Sequence, residues 1–353
     1  MGTAAPVRFW HLRPDGRVQC DLCPHHCSLR EGQRGRCIGR VCRDGAITLA
    51  SYGRCRGLAV DPIEKKPLFH FFPGSTVLSL GTAGCNLACR FCQNWDISRA
   101  AGDDALGVAA APEAVAEQAA RLGCRSVAFT YNDPVPFHEY AVDTARACRA
   151  RGLRTVAVTA GYVDPEPREE FYAVIDAANI DLKSFDDAFY RRWCGARLAP
   201  VLETLEFVAR EMTTWLEVTN LLIPGLNDSP AEVSALSAWV AGHLGPDTPL
   251  HFSGFHPAYR TTDRPPTPAA TLSAAQRLAR AEGLRFVYTG NVPDPEGQST
   301  RCPGCGALLV GRDGYRLTAW GLGPGGACAA CGRACPGAFA AEPGDSPCAG
   351  RDG

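Results

Sequence analysis

Residues 76–92 read Thr76-Val-Leu-Ser-Leu-Gly-Thr-Ala-Gly-Cys85-Asn-Leu-Ala-Cys89-Arg-Phe-Cys92. The opening Thr-Val-Leu-Ser-Leu run has the apolar, strand-like character of a buried β-strand, and it leads straight into a loop with Cys-x3-Cys-x2-Cys spacing. Three thiolates crowded on one short loop can hold three irons of a cubane iron–sulfur cluster and leave the fourth iron without a protein ligand. An iron with an open position can bind and reduce a small molecule, whereas a fully ligated cluster only passes electrons. The residues that follow, Gln93-Asn94-Trp95, bring no fourth cysteine. A zinc site is the competing reading, but structural zinc wants four protein ligands, with paired two-residue gaps.

Outward from this loop, short apolar runs alternate with amphipathic stretches over residues 74–292. Strands are expected at 76–81, 126–130, 155–159, 179–183, 215–222, 250–254 and 285–289, with helices at 112–122, 139–150, 201–212, 231–244 and 273–282. Such alternation argues for βα units on a parallel sheet. Seven strand candidates suit an incomplete barrel, whose chemistry lies at the C-terminal ends of the strands. Alternation also places Asp181 and Lys183 on one face, where an acid and a base at a barrel rim can grip a zwitterionic amino acid; a structural ion pair is the plainer reading. His251, Phe252, His256, Tyr259, Tyr288 and Asn291 fall at strand ends as candidate substrate contacts. The Pro/Thr-rich stretch 258–271 reads as a lid or a plain surface loop.

The chain has 353 residues and a net charge of −1, so no bulk electrostatic pull toward nucleic acid or a membrane surface is expected. No apolar run reaches membrane-spanning length, and the first residues lack the order of a secretion signal, which together place the chain in the cytoplasm. Eighteen cysteines in a reducing compartment read as metal ligands rather than disulfides.

They fall into groups. Cys20, Cys23, Cys27 and Cys37 lie in a Cys-, Arg- and Gly-rich module over 1–60, which is expected to be held by metal, as an auxiliary iron–sulfur cluster or zinc. Cys302, Cys305, Cys328 and Cys331 form two Cys-x2-Cys knuckles 22 residues apart in a module over 301–340, the spacing of a zinc ribbon. A rubredoxin-like mononuclear iron would use the same four thiolates. Cys124, Cys148 and Cys194 read as small buried apolar residues, and 341–353 reads as a disordered tail.

The segment Gly84-Cys85-Asn86-Leu87-x-Cys89-x-Phe91-Cys92-Gln93-Asn94 resembles the cluster loop of the radical SAM superfamily, on the side of its glycyl-radical activases. That resemblance implies a partial (βα)6 barrel with the cluster loop after the first strand. It also implies a 4Fe–4S cluster on Cys85, Cys89 and Cys92 whose open iron chelates S-adenosylmethionine (SAM). Reductive cleavage of SAM would yield a 5′-deoxyadenosyl radical for hydrogen abstraction. Carried over residue by residue, Asn132 and Asp133 in Thr130-Tyr131-Asn132-Asp133-Pro134 would accept from the SAM ammonium, although relatives carry Glu where this chain has Asp133. An Asx-type turn explains the same residues. Asp181 and Lys183 match an Asp-x-Lys at the SAM site, and Thr159 matches a member of a cation site, with Val158 standing where its companion acid is expected. Asn227 in Leu222-Ile-Pro-Gly-Leu-Asn-Asp228 would lie near the adenine, or the segment is a simple Pro224-Gly225 turn.

Over nearly its whole length the chain resembles the radical SAM enzymes of the AmmeMemoRadiSam system. The matching pieces include Cys-x2-Cys-Pro-His-x-Cys (20–27), Glu-Gly-Gln-Arg-Gly-x-Cys (31–37), residues 61–71 and Tyr-Thr-Gly-Asn-Val (288–292). The partners implied are an electron donor such as flavodoxin or ferredoxin and Memo-like and AMMECR-like proteins. The alternative function is a metal-bearing adaptor with a catalytically silent barrel.

Overall fold

A computed structural model describes residues 7–100 and 107–342. Seven strands run parallel and in chain order: Thr76–Gly81, Ser126–Phe129, Arg154–Thr159, Ala177–Asp181, Trp215–Leu222, Leu250–Gly254 and Val287–Gly290. Side by side, Leu80 pairs with Phe129, Ala157 with Phe129, Thr159 with Ile180, Asp181 with Thr219, and Ser253 with Gly290. Six full helices separate them: Pro112–Arg121, His138–Arg149, Pro165–Tyr172, Ala199–Glu211, Pro230–His243 and Ala269–Ala281. The result is six strand–helix units and a seventh strand. The sheet stays open at Val287–Gly290, so the architecture is a partial barrel.

Local chemistry explains most of these elements. All four residues of Ser126–Phe129 are buried, as a central parallel strand requires. Pro112 opens its helix at a position where no N–H is needed, and Val115, Ala116 and Ala119 make the buried stripe. Ser229 caps the Pro230–His243 helix by accepting from Glu232 N at 3.3 Å.

Three elements differ from expectation. The Pro165–Tyr172 helix was not foreseen, because only Pro167, Phe171 and Tyr172 are buried and no apolar period develops. The fourth strand starts two residues early, at Ala177, since pairing of Ala177 with Trp215 overrides the weak strand preference of Ala177-Ala178. Strand Arg54–Pro62 runs antiparallel beside Thr76–Gly81; its register shifts between Arg56 and Ala59, where Gly57 takes φ +75°, so strict alternation is broken by a bulge. The barrel sheet therefore begins inside the stretch assigned to the N-terminal module.

Ahead of it, short antiparallel strands carry a small core of Val18, Leu22, Leu29, Cys42 and Ile47, to which Val135 and Val163 of the barrel contribute. The buried Arg40 guanidinium pairs with Glu139 across this contact. At the other end, the three-stranded sheet of Thr300–Arg301, Leu308–Asp313 and Arg316–Trp320 packs on the barrel through Arg312, which donates to Phe69 O at 2.6 Å and Thr300 Oγ1 at 2.9 Å.

Residues 61–71 form a strap under the barrel interior. Phe69 N and His70 N both donate to the Glu217 carboxylate (3.0 and 2.8 Å), and Asn179 Nδ2 donates to Pro67 O at 2.8 Å. The 258–271 connection is pinned rather than free, with Thr267 N donating to Phe255 O and its hydroxyl to Leu222 O. Among the described residues, no helix is long and apolar enough to cross a membrane. Of the tail expected at 341–353, residues 343–353 lie outside the described residues.

Candidate active site and metal centres

The loop after the first parallel strand turns back across the barrel mouth. Gly84, at φ +98°, packs so tightly on the N-terminal module that a Cβ there would lie 2.0 Å from Cys37 O, so only glycine fits. Cys85, Cys89 and Cys92 then line one cavity of about 250 Å³, shared with Thr130, Asp133, Thr159, Asp181 and Lys183. The strand ends of the whole first half of the barrel thus converge on the cysteine triplet.

Asp181 and Lys183 face this cavity together, with Lys183 Nζ 2.9 Å from Asp181 Oδ2. Burial opposes the Lys183 charge, yet Asp181 and the sulfurs of Cys89 and Cys194 outweigh it and hold the ammonium well above its ordinary value. Burial and the nearby Asp133 push the Cys85 thiol up, so it keeps its proton in the absence of metal.

Of the residues expected to contact ligand, Asn132, Asp133 and Thr159 line the cavity, and each already holds partners within the protein. The Asn132 amide is committed to the backbone of the cluster loop: Oδ1 accepts from Thr82 N at 3.0 Å and Nδ2 donates to Gly84 O. It positions the loop while lining the cavity. Asp133 accepts from Val135 N (3.0 Å) in an Asx-type turn, and from Ala160 N (2.7 Å) and Thr159 Oγ1 (3.1 Å) across the barrel mouth. Burial raises the Asp133 carboxyl against the pull of these donors. Asn227 does not line the cavity; it accepts from Ile223 N at 2.7 Å and donates to Lys183 O and Leu221 O at 2.7 and 2.8 Å, tying its loop to the backbone of Lys183.

Tyr288 points elsewhere than expected, whereas His251 borders a cavity between the barrel mouth and the strap. His251 Nε2 bonds Glu217 at 2.6 Å and Tyr288 meets His70 Nε2 at 2.6 Å, both toward the strap, while Phe252 is core.

Asn291, a candidate contact from the sequence, and Tyr131, Thr219 and Ser253, not singled out there, complete the mouth. Tyr131 and Asn291 line the cavity with positive φ (71° and 59°), a strained backbone for non-glycine residues. Thr219 and Ser253 line it too, and with Asn291 they border a second cavity of about 450 Å³ that reaches the strap residues Lys65 and Phe69. Thr219 Oγ1 is buried there with no hydrogen-bond partner. Its signal was available: Glu217, Thr219 and Leu221 share one face of a central strand, where polar residues need a reason. Cys194 is buried, as expected, but sits beside Cys89 without lining the cavity.

Sulfur spacing separates the metal centres. The sulfurs of Cys302, Cys305, Cys328 and Cys331 all lie within 4.8 Å of one another, with 3.6 Å between Cys302 and Cys331 and 3.7 Å between Cys305 and Cys328. Metal–sulfur bonds of about 2.3 Å in a tetrahedron put sulfurs about 3.8 Å apart, so this quartet fits a single ion. Among the described residues, no other group of three or more such ligand atoms is this tight. Cys85, Cys89 and Cys92 line one cavity outside any such tight quartet, and the orphaned Thr219 hydroxyl and the Lys183–Asp181 pair leave polar contacts for a second ligand. The donor set fits a 4Fe–4S cluster and SAM.

The sequence profile of the Radical SAM superfamily matches residues 79–236. The chain is 45% identical over 304 residues to an uncharacterized protein of Methanocaldococcus jannaschii, covering 86% of this chain and 90% of that one. It is 23% identical over 264 residues to the benzylsuccinate synthase activating enzyme of Thauera aromatica, covering 70% and 79%. Among solved structures, a radical SAM methyltransferase from Sphaerobacter thermophilus superposes with a TM-score of 0.48 at 16% identity, covering 67% of this chain and 71% of that one. With the cysteine triplet at the mouth of a partial parallel barrel and the superfamily profile spanning that triplet, the chain belongs to the radical SAM superfamily.

Proposed function

We propose that this protein cleaves SAM reductively and uses the 5′-deoxyadenosyl radical to abstract hydrogen from a substrate held in the cavity between barrel mouth and strap. The observation that carries this reading is the junction of two spaces: the cysteine cavity and the 450 Å³ cavity meet at Thr219, Ser253 and Asn291. When bound, a 4Fe–4S cluster on Cys85, Cys89 and Cys92 supplies an open iron and the electron that breaks the sulfonium. The chain's own residues do the rest. Lys183 offers a cation for the methionyl carboxylate, and Asp181 orients Lys183 and offers an acceptor for the ammonium. Thr219 presents an unsatisfied hydroxyl where cofactor and substrate spaces join.

A second reading, activation of a partner protein through a glycyl radical, is favoured by the match to the Thauera activating enzyme. Supply of the electron by a flavodoxin or ferredoxin, and a working link to Memo-like and AMMECR-like proteins, follow from the family resemblance. The described cysteines are all free thiols, which suits a reducing cytoplasm. Zinc is the favoured ion for the ribbon quartet, whose role is structural.

The test is electron paramagnetic resonance of the reduced, anaerobically reconstituted protein with and without SAM. SAM is expected to shift the cluster signal, and Cys89→Ala to lose it. A signal indifferent to saturating SAM would leave the silent-adaptor reading in place.

A further inference from the structure

Four cysteines stand outside the site described above. Cys20, Cys23, Cys27 and Cys37 line one small, largely enclosed space of about 10 Å³, and all four are free thiols, three of them buried. One feature of this space argues against a single ion. No three of these sulfurs lie within 4.8 Å of one another, unlike the ribbon quartet, which is already at mononuclear spacing. A cluster holds its thiolates on outer corners, farther apart than the ligands of one ion.

The surroundings suit buried thiolates. Backbone N–H groups of Leu22, His25, Gly39 and Arg40 are directed at the sulfurs of Cys20, Cys23 and Cys37. The fully buried Arg40 lies beside Cys20 and Cys37, offsetting their charge, while its own hydrogen bonds go to Glu139, Pro136 O and Arg8 O.

The position is as informative as the chemistry. Cys37 O packs against Gly84, the residue before Cys85. The His25 ring N–H donates to Asn86 O, the residue after Cys85, at 2.8 Å, and Asn86 itself lines the four-cysteine space. The two cysteine sites thus touch through both flanks of Cys85.

We infer that Cys20, Cys23, Cys27 and Cys37 hold a second iron–sulfur cluster, fully ligated by protein and packed directly against the loop that carries the first. With no open iron, it carries electrons and binds no SAM. This assignment is independent of the proposed SAM chemistry.

The experiment uses full-length protein carrying Cys85→Ala, Cys89→Ala and Cys92→Ala, reconstituted without oxygen with iron and sulfide. It is assayed for iron, zinc, acid-labile sulfide and resonance after dithionite reduction. The triple variant is expected to keep labile sulfide and a cluster signal that SAM does not shift, and adding Cys23→Ser with Cys37→Ser is expected to remove both. Zinc without labile sulfide in the triple variant overturns the assignment, as does sulfide that survives the further replacements. Should the serine variants fail to fold, Mössbauer spectra of the wild type decide. Two cluster populations, only one responding to SAM, support the second cluster, and one population responding as a whole overturns it.

Discussion

Lys183 and Asp181, two residues apart on one strand end, meet at 2.9 Å on the wall of the cavity lined by Cys89 and Cys92. Both members face the cavity, and Asp181 is half-buried enough to stay hydrated if its partner is removed. Lys183→Met therefore deletes a cation from the site without stranding a buried charge. A lost charge-assisted contact is worth about 1.5–3 kcal/mol, or roughly 10- to 100-fold in affinity. SAM affinity, read by titrating the resonance of the reduced cluster, is expected to fall by that amount while iron content is unchanged.

Thr219→Val removes a hydroxyl that has no partner in the protein and keeps the shape of the side chain. Thermal stability is expected to hold or rise by a fraction of a degree to a few degrees, because no hydrogen bond is lost. SAM cleavage or its coupling to substrate is expected to drop. Equal loss of stability and activity would show that Thr219 serves the fold instead.

His70 joins the barrel to the C-terminal sheet. Its Nδ1–H donates to Pro336 O at 2.7 Å, and its Nε2 accepts from the Tyr288 hydroxyl at 2.6 Å. Burial is the main cause that lowers this imidazole from 6.5 to about 4, despite the nearby Glu217 carboxylate. Between those values the unfolded chain binds the extra proton and the folded chain does not, so stability falls as pH drops from 6.5 to 4 and levels off below. The loss is about 3 kcal/mol for this group. Wild type and His70→Gln, melted across pH 4–7, are expected to converge toward the acid end.

Cys305→Ala opens the tetrahedral quartet at an exposed corner. The protein is expected to lose the ribbon's metal and gain protease sensitivity over 302–340. Its labile sulfide stays, because Cys85, Cys89 and Cys92 lie outside the quartet. Metal analysis beside limited proteolysis checks both parts.

How much of this was readable beforehand differs by element. The parallel strands were legible because each is a compact apolar run, and the cysteine triplet because its spacing alone restricts what it can bind. Gly57's bulge hid strand Arg54–Pro62, and the thin apolar face of Pro165–Tyr172 hid a helix. At the site, polar strand-end residues could be located but their partners could not. Asn132, Asp133 and Thr159 meet residues brought in from other strand ends, and Asn227 meets Lys183 from 44 positions away. Residues 61–71 show the same limit: their function as a strap depends on Glu217 and Asn179, more than 100 positions away.

The central claim is that one iron at Cys85, Cys89 and Cys92 is free to engage SAM. Its most direct test is the yield of 5′-deoxyadenosine from cluster-replete protein incubated without oxygen with SAM and dithionite. Wild type is expected to produce it above the level of Cys89→Ala. A fully loaded wild-type cluster that produces none would contradict the account.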